Sequence, residues 1–535
     1  MPKQHPQTHL APLTGNLAIC YARLFFFLMV PALALDGPSH PDFFTFPELL
    51  QLSNLTPPDP ALQKKLDGVL NIPVVGNYAI EAGVRPARPT IASLGPVLRA
   101  LFWNIERGQQ FDLVRLALSD PEGFAAEASK NPKSTPATLA AVREQVSQLM
   151  QADLLVLNEV DIGMKRSDYH EVGNELAAAL KMNYVYGVEF VELDPVMLGV
   201  EKVQLKDADL AARLQKELEA DPQRLRALHG SAILSRYPIQ NARIVRLPVC
   251  HDWFIDESKP VPLIEKAKRL ASDKIFLDEM VSERRRGGRI AIIASIEVPE
   301  AQGGIVTVAA PHLENKCPAA CRVTQMNFLL DQLKSVTGPV IVTGDMNTTG
   351  SDGAILSLPY ILQEKVKDYR TWGKQVFNVA NPVNFFGVGS MAKNMRKYTD
   401  PTVHDVPMFG DNREYGLFKD LRKYRFADGG EFDFRGDPKQ TVDGKGKTLS
   451  DSNQRDGKGF AYTFAMPRDF GGAIGRFKLD WFFIKAAGQQ EGSAAKHPGA
   501  FSPWFPRTYQ QVNDAPPDRI SDHAPITVDL PLSQR

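Results

Sequence analysis

The chain has 535 residues, with 62 Lys and Arg balanced by 62 Asp and Glu, and 43% of its residues are hydrophobic against 23% charged. That composition excludes a disordered chain and supplies enough apolar surface for a sizeable core. A formal charge of zero removes any general attraction to nucleic acid, so no stable nucleic-acid partner is implied by charge.

At the N-terminus, Arg23 precedes an apolar run from Leu24 to Leu35 that ends in Ala32-Leu33-Ala34. This is the length and small-residue finish of a secretory signal over residues 1–35, and it is too short to span a bilayer. The residues upstream are only weakly basic, which leaves a membrane tether or a misread start as alternatives. Export, to a periplasm or the outside, is the expected localisation, with no transmembrane helix beyond the signal. Residues 36–97 carry Pro57-Pro58, Pro73, Pro86 and Pro89 with no sustained period; they read as a loosely folded leader on the flank of a catalytic region at 98–535.

From Arg99 to Ile105 the chain reads as a strand. Leu139, Val142, Val146, Leu149 and Met150 then fall at helical spacing, and Asp153 to Val160 resumes as a buried strand. A helix at Glu171 to Lys181 and a strand at Tyr184 to Val191 follow. Residues 194–226 are charged and helical in composition, an expected insertion. Strands are expected at His229 to Ile239, Ala242 to Val249, Arg289 to Val298 and Ile305 to Leu313, the last two as a hairpin about Gly303-Gly304. A helix at Cys321 to Leu333 and a short strand at Val340 to Thr343 come next. A second insertion spans about 380–460, and final strands lie at Phe477 to Ile484 and Ala524 to Leu530. Mixed helix-linked and hairpin-linked strands predict an α/β fold, a two-sheet α/β sandwich.

Lys165-Arg166 and Arg284-Arg285-Arg286, with Arg289 behind, are the densest basic places and read as solvated faces. Trp253-Phe254 and Trp504-Phe505 suit either a membrane surface or, the expected fate, buried packing. Removing the signal takes Cys20 and leaves Cys250, Cys317 and Cys321, an odd number. Both a Cys317 to Cys321 loop and free buried thiols stay open, while zinc lacks a matching Cys or His pair.

Hard oxygen donors and histidines end the apolar runs: Asn104, Glu159, His312, Asp345 with Asn347, Asp480, and Asp522-His523. If the runs are strands of one sheet system, these groups gather at an edge able to hold a divalent cation and a phosphate ester. Singly, each has a plain structural reading: a strand-end carboxylate, an Asx-turn at Asp345, a core histidine. Glu159, Asn104 and Asp522 are a natural oxygen shell for Mg²⁺ or Mn²⁺.

The ordered set Asn104, Glu159, Gly-Ser-Ala-Ile-Leu-Ser at Gly230 to Ser235, His312, Gly-Asp-Met-Asn at Gly344 to Asn347, Leu-Asp-Trp at Leu479 to Trp481 and Ser-Asp-His at Ser521 to His523 resembles the endonuclease/exonuclease/phosphatase superfamily, the deoxyribonuclease I-like metal-dependent phosphoesterases. The resemblance runs from Arg99 to Leu530. It implies that Glu159 is the principal metal ligand with Asn104 and Asp522 nearby, and that Asp345 and Asn347 line the phosphate and the attacking water. It further implies that His523 works with Asp345, that His312 binds the phosphate or assists the leaving group, and that Asp480 orients His312. Pro311 stands where a small hydroxyl residue is commoner, and both insertions exceed those of compact relatives. The implied activity is metal-dependent hydrolysis of a phosphate ester, whether nucleic acid, small phosphorylated molecule or lipid headgroup; oligomeric state is not implied. The competing class is a catalytically silent binding module, which predicts losses in the polar set, and none is lost.

Overall fold

The computed structural model describes residues 34–92, 94–203, 208–258, 283–348, 415–433, 455–456, 459–460, 462–470, 474–486, 501 and 508–532. The expected signal up to Leu33, much of the insertion at 380–460 and Trp504-Phe505 lie outside the described residues. The compact unit begins at Ala34.

The leader is more ordered than its prolines suggest. Helix α1 (Phe46–Ser53) opens with a capping box in which Thr45 accepts from the Glu48 N–H and the Glu48 carboxylate accepts from the Thr45 N–H. Asp59 caps α2 (Pro60–Asn71). Pro47 and Pro60 sit in first turns, where a missing N–H costs nothing, and Pro57-Pro58 and Pro73 lie between elements. Leu49, Leu52, Leu62, Leu66 and Val69 are buried in the main core. Strand β1 (Val74–Asn77) then joins the large sheet, and a short helix α3 (Tyr78–Glu81) and strand β2 (Thr90–Ile91) complete the segment.

Two long strands follow, β3 (Gly95–Arg107) and β4 (Leu154–Ile162), joined through helices α4 (Phe111–Ser119), α5 (Pro121–Ser129) and α6 (Pro136–Leu149). Next come α7 (Val172–Leu180), β5 (Asn183–Glu192), α8 (Ala208–Leu218) within the expected first insertion, β6 (Leu228–Ser235), β7 (Ile239–Arg246), β8 (Arg285–Gly287), β9 (Ile290–Glu297) and β10 (Ile305–Pro311). The chain continues through α9 (Ala319–Leu333), β11 (Val340–Asp345), α10 (Tyr415–Lys423), the two-stranded pairs β12 (Arg455–Asp456) with β13 (Gly459–Phe460) and β14 (Phe464–Phe470) with β15 (Ile474–Phe477), then β16 (Asp480–Lys485), α11 (Gln510–Asp514) and β17 (Ile526–Pro531).

The strands form an 8-stranded sheet, β1-β5-β6-β4-β3-β17 with β2 on β3 and β8 on β5, and a 5-stranded sheet, β16-β11-β10-β9-β7. As expected from the turn at Gly303-Gly304, β9 and β10 pair antiparallel. Period-2 alternation divides the side chains of β3 between two layers. Leu98, Ala100 and Phe102 meet Ile290, Ile292, Ile341 and Phe482 of the other sheet, whereas Leu101, Trp103 and Ile105 pack toward Val114, Val142 and Leu176 of the helices. On the far side, Val340, Val342 and Phe483 pack with Leu329 and Leu330 of α9 and Phe418 of α10. This is the expected two-sheet α/β sandwich, helices covering both outer faces.

Two expectations are corrected here. Cys321 bonds to Cys250, not to Cys317, whose buried thiol stays outside the disulfide and donates to Glu314 O; the partner is set by the approach of α9 to the segment after β7, which sequence spacing does not reveal. The arginines do not form solvated faces either. Arg166 pairs with Asp161 and Glu192, and Arg285 and Arg289 are buried. Arg286 donates to the Leu52 and Asn54 carbonyls and Arg284 to that of Ser53, satisfying the C-terminal end of α1 as cations do. Trp253 and Phe254 are buried, as expected.

Candidate active site

Strands β3 and β4 run parallel, as do β10 and β11, so their C-terminal ends deliver Asn104, Glu159, His312 and Asp345 toward one edge. Strand β16 runs antiparallel to β11 and starts with Asp480 opposite Asp345. Strand β17 runs antiparallel to β3, which places Asp522 and His523 just before its start. Topology therefore assembles all eight sequence-predicted residues from six strand ends.

The first group is a set of oxygens. Asn104 Nδ2 donates to Glu159 Oε1 at 3.3 Å and to Asp345 Oδ2 at 3.2 Å. Asp522 N donates to Glu106 Oε2 at 2.9 Å, so a third carboxylate stands beside the two expected ones. Burial, then the charges of Asp522 and Glu159, push the Glu106 carboxyl up to about 8. Burial also raises Asp522, with Glu159 adding to it. Glu159 goes the other way: burial opposes its charge, but Arg107, His312, His229 and His523 hold it down at about 2. Glu106 and Asp522 stay raised although Arg519 and Arg107 lower them, and a hard divalent ion suits the oxygen donors of Glu106, Glu159, Asp522 and the Asn104 amide.

The second group is a pair of held histidines flanking Asp345. His523 Nδ1 lies 2.8 Å from Asp480 Oδ2, and its Nε2 lies 3.6 Å from Asp345 Oδ2. His312 Nδ1 lies 3.2 Å from Glu189 Oε2, and its Nε2 lies 3.8 Å from the same Asp345 oxygen. Each imidazole thus has a buried carboxylate at Nδ1 and its Nε2 on the Asp345 side, but His312 Nε2 also lies 3.0 Å from Arg289 Nη1. The expected pairing of Asp480 with His312 is corrected: Asp480 holds His523, because the 463–465 segment ties both in place, with Asp480 N donating to Thr463 Oγ1, Ala465 N to Asp522 O and Ala524 N to Thr463 O. Glu189 holds His312 instead. Burial disfavours charge on His523, but Asp480, Asp345 and Asp522 outweigh it and raise its pKa well above the ordinary histidine value. Asp345 is itself raised by burial, and by Asp480, against the lowering charges of His523 and His312. A further buried group of ligand type, Asp345, Asp480 and His523, has its ligand atoms within 4.8 Å of one another, though its imidazole is already engaged by Asp480.

The Gly-Asp-Met-Asn turn is fixed from below. Asp345 N donates to Asn158 Oδ1 at 2.9 Å, Asn347 N to Asp345 Oδ1 at 2.8 Å, and Asn347 Nδ2 to Leu313 O at 2.9 Å. Asn158 in turn donates to Ser231 Oγ, which donates to Glu189 Oε1 at 2.6 Å. A continuous buried relay therefore joins the turn to the carboxylate behind His312. Arg289 closes it, with Nη1 3.0 Å from Glu189 Oε2 and 2.8 Å from His312 Nδ1.

Sequence reasoning missed Glu106, Asn158, Glu189, Ser231 and Arg289. Two were within reach: Glu106 lies two residues after Asn104, and Glu189 interrupts the apolar run Tyr184 to Val191.

The endonuclease/exonuclease/phosphatase family model matches residues 101–384, more than half of the chain. The chain belongs to that family, a group of phosphoester hydrolases. Its similarity to solved family structures is distant. An endonuclease/exonuclease/phosphatase from Beutenbergia cavernae is 14% identical, over 82% of this chain and 72% of that one, with a TM-score of 0.35. The human Nocturnin catalytic domain with bound sulfate is 13% identical over 81% and 93% (TM-score 0.32), and a 3'-5' exonuclease from Neisseria meningitidis 13% over 81% and 99% (TM-score 0.34). Among curated proteins, none matches significantly. The family match ends at residue 384, so Asp480, Asp522 and His523 lie beyond it and join the other candidate residues through the geometry above.

Proposed function

We propose that this chain is a divalent-metal-dependent hydrolase of phosphate esters, with water attacking a phosphate held between the oxygen cluster and the two histidines. The observation that carries the reading is the crowding of Glu106, Glu159 and Asp522 beside Asn104, where Glu106 and Asp522 stay raised although Arg519 and Arg107 lower them. Glu159, Asn104, Asp522 and Glu106 would hold Mg²⁺ or Mn²⁺, which when bound supplies charge for the phosphoryl oxygens.

The remaining steps belong to the chain's own groups. Asp345, fixed by Asn158 and flanked by both imidazoles, shares with His523 the task of holding and taking the water proton, and the pair is assigned jointly because His523 Nε2 lies 3.6 Å from the Asp345 carboxylate. Asn347, held by Leu313 O, lines the phosphate. His312, anchored by Glu189 and Arg289, stands on the other side of Asp345 to bind a phosphoryl oxygen or assist the leaving one. Asp480 is a positioning residue for His523.

Substrates consistent with this set are nucleic acid, a small phosphorylated molecule or a lipid headgroup; the balanced net charge favours the last two over tracking along nucleic acid. We also propose export, supported by the apolar run from Leu24 to Leu35 and by the Cys250–Cys321 bond.

The test is hydrolysis of plasmid DNA, bis-p-nitrophenyl phosphate and a panel of phosphomonoesters with Mg²⁺, Mn²⁺ or chelator. Activity indifferent to chelator, or retained in Glu159→Ala, refutes the metal-dependent reading. A catalytically silent binding module would hydrolyse none of them.

A further inference from the structure

Arg107 is the last residue of β3, and the pairing of β3 with β4 breaks register between Asn104 and Arg107. It stands at φ 66°, a left-handed conformation that a long side chain adopts only under constraint. The constraint turns its guanidinium onto the site. Arg107 Nε lies 3.8 Å from Glu159 Oε2, and Nη2 lies 3.4 Å from Glu283 Oε1. The side chain keeps 18% of its surface exposed. Glu283 is not short of cations, since Lys316 Nζ lies 2.7 Å away and Arg285 Nη2 2.8 Å away. Glu283 thus does not depend on Arg107 alone, and Arg107 also faces Glu159, the carboxylate on which a divalent ion would sit.

Two cations on one carboxylate repel each other. That repulsion is relieved when an oxyanion binds between them, and a guanidinium, with donors in a planar fork, suits two oxygens of a phosphate. From this geometry we propose that Arg107 grips the substrate phosphate across from the divalent ion and thereby makes metal binding and phosphate binding mutually reinforcing. The inference rests on the metal-dependent reading above. It adds a substrate-binding residue that sequence order does not point to, and a specific energetic coupling. By linkage, phosphate then tightens the metal by the same factor as the metal tightens phosphate.

The experiment measures Mn²⁺ binding to the full chain by electron paramagnetic resonance, with and without inorganic phosphate, in wild type, Arg107→Gln and Arg107→Lys. Without phosphate, Arg107→Gln should bind Mn²⁺ about tenfold more tightly than wild type, because a competing cation has gone. In wild type, phosphate should tighten Mn²⁺ about tenfold. That gain should vanish in Arg107→Gln and be partial in Arg107→Lys, which keeps the charge but not the fork. Inorganic phosphate should also inhibit the Mn²⁺-loaded Arg107→Gln variant more weakly than wild type by about the same factor. Wild type that binds Mn²⁺ with no response to phosphate overturns the inference without any variant. So does a full phosphate response surviving in Arg107→Gln, the result for a merely structural ion pair. Wild type that binds no Mn²⁺ at all instead overturns the metal-dependent reading on which the inference stands.

Discussion

Glu189→Gln is the sharpest test of the relay behind His312. Glu189 is fully buried, and its two oxygens meet Ser231 Oγ at 2.6 Å, Arg289 Nη1 at 3.0 Å and His312 Nδ1 at 3.2 Å. Burial opposes its charge, but His312, Arg289 and His229 hold its pKa far below the ordinary glutamate range. Glutamine keeps the shape, removes the charge and turns an N–H₂ group toward donors on one side or the other. Breaking a buried pair by removing one charge costs about 3–5 kcal/mol. Arg289 retains Glu314 at 3.7 Å and Asn315 at 3.2 Å, so the lower end, about 3 kcal/mol, is expected. A His312 ring released by about 1 Å should lower kcat by about 100-fold. Urea unfolding gives the first number, steady-state kinetics the second, and Mn²⁺ affinity should stay unchanged because Glu189 faces the histidine and not the oxygen cluster. A depressed carboxyl stabilises above its unfolded pKa, so the wild-type advantage should hold at neutral pH and shrink as pH falls below the ordinary glutamate range. The double variant Glu189→Leu/Arg289→Met should recover stability but not activity. A loss below 1 kcal/mol with kcat intact would refute the relay.

Asp480→Asn should lower kcat by about 100-fold or more with a much smaller change in KM, since Asp480 touches His523 and not the substrate; a change confined to KM contradicts its assignment. Asp194 accepts from the Val196 and Met197 N–H groups through Oδ1, while its buried Oδ2 has no partner among the described residues. Burial, then Glu192 and Glu201, push its carboxyl from 3.8 up to about 7, despite those two hydrogen bonds. A raised carboxyl costs stability as pH climbs from the unfolded to the folded value, here on the order of 4 kcal/mol. Asp194→Asn should therefore match wild type near pH 4 and exceed it at pH 8, and a Tm difference that does not grow over that range rules this out. The Cys250–Cys321 bond spans 71 residues, which corresponds to about 4 kcal/mol of loop-closure entropy. Cys250→Ser/Cys321→Ser should lose a comparable amount in urea, and a loss under 1 kcal/mol would mean that the loop is already constrained when unfolded.

The strands and the site were legible because both are written locally. Strand β3 alternates between two cores, and each catalytic side chain ends an apolar run, so order along the chain predicts a common edge. Pairings between distant elements were not legible. Asp480 falls to His523 and Glu189 to His312 because of which strand starts beside which, and no spacing encodes that. The same holds for Cys250 and Cys321. The leader misled for a different reason: proline argues against regular structure within an element, but Pro47 and Pro60 sit in the first turns of capped helices. The arginine cluster misled because charge runs are usually solvated, whereas here Glu283 within the run is joined by Glu189, Glu192 and Glu314 from other segments.

One feature of the edge links backbone to chemistry. Glu106, Arg107, Glu159 and Asn347 all stand at positive φ without being glycine, at about 1–2 kcal/mol each. In a regular strand, consecutive residues point to opposite faces, so Asn158 and Glu159 could not both serve the site. The register of β4 against β6 breaks between Leu157 and Val160, and Glu159 at φ 54° turns to join Asn158 beside Asp345. The strain is the means by which two neighbouring side chains reach one phosphate. It follows that Glu159→Gly and Glu159→Ala should be equally inactive yet unequal in stability. Glycine relaxes the left-handed position while alanine keeps the strain, so the glycine variant should be more stable, by about 1 kcal/mol after its larger unfolded-state entropy is counted. Urea midpoints of the two variants decide it. If alanine proves the more stable, the conformation at 159 is imposed by the carboxylate's own contacts and not by the bulge.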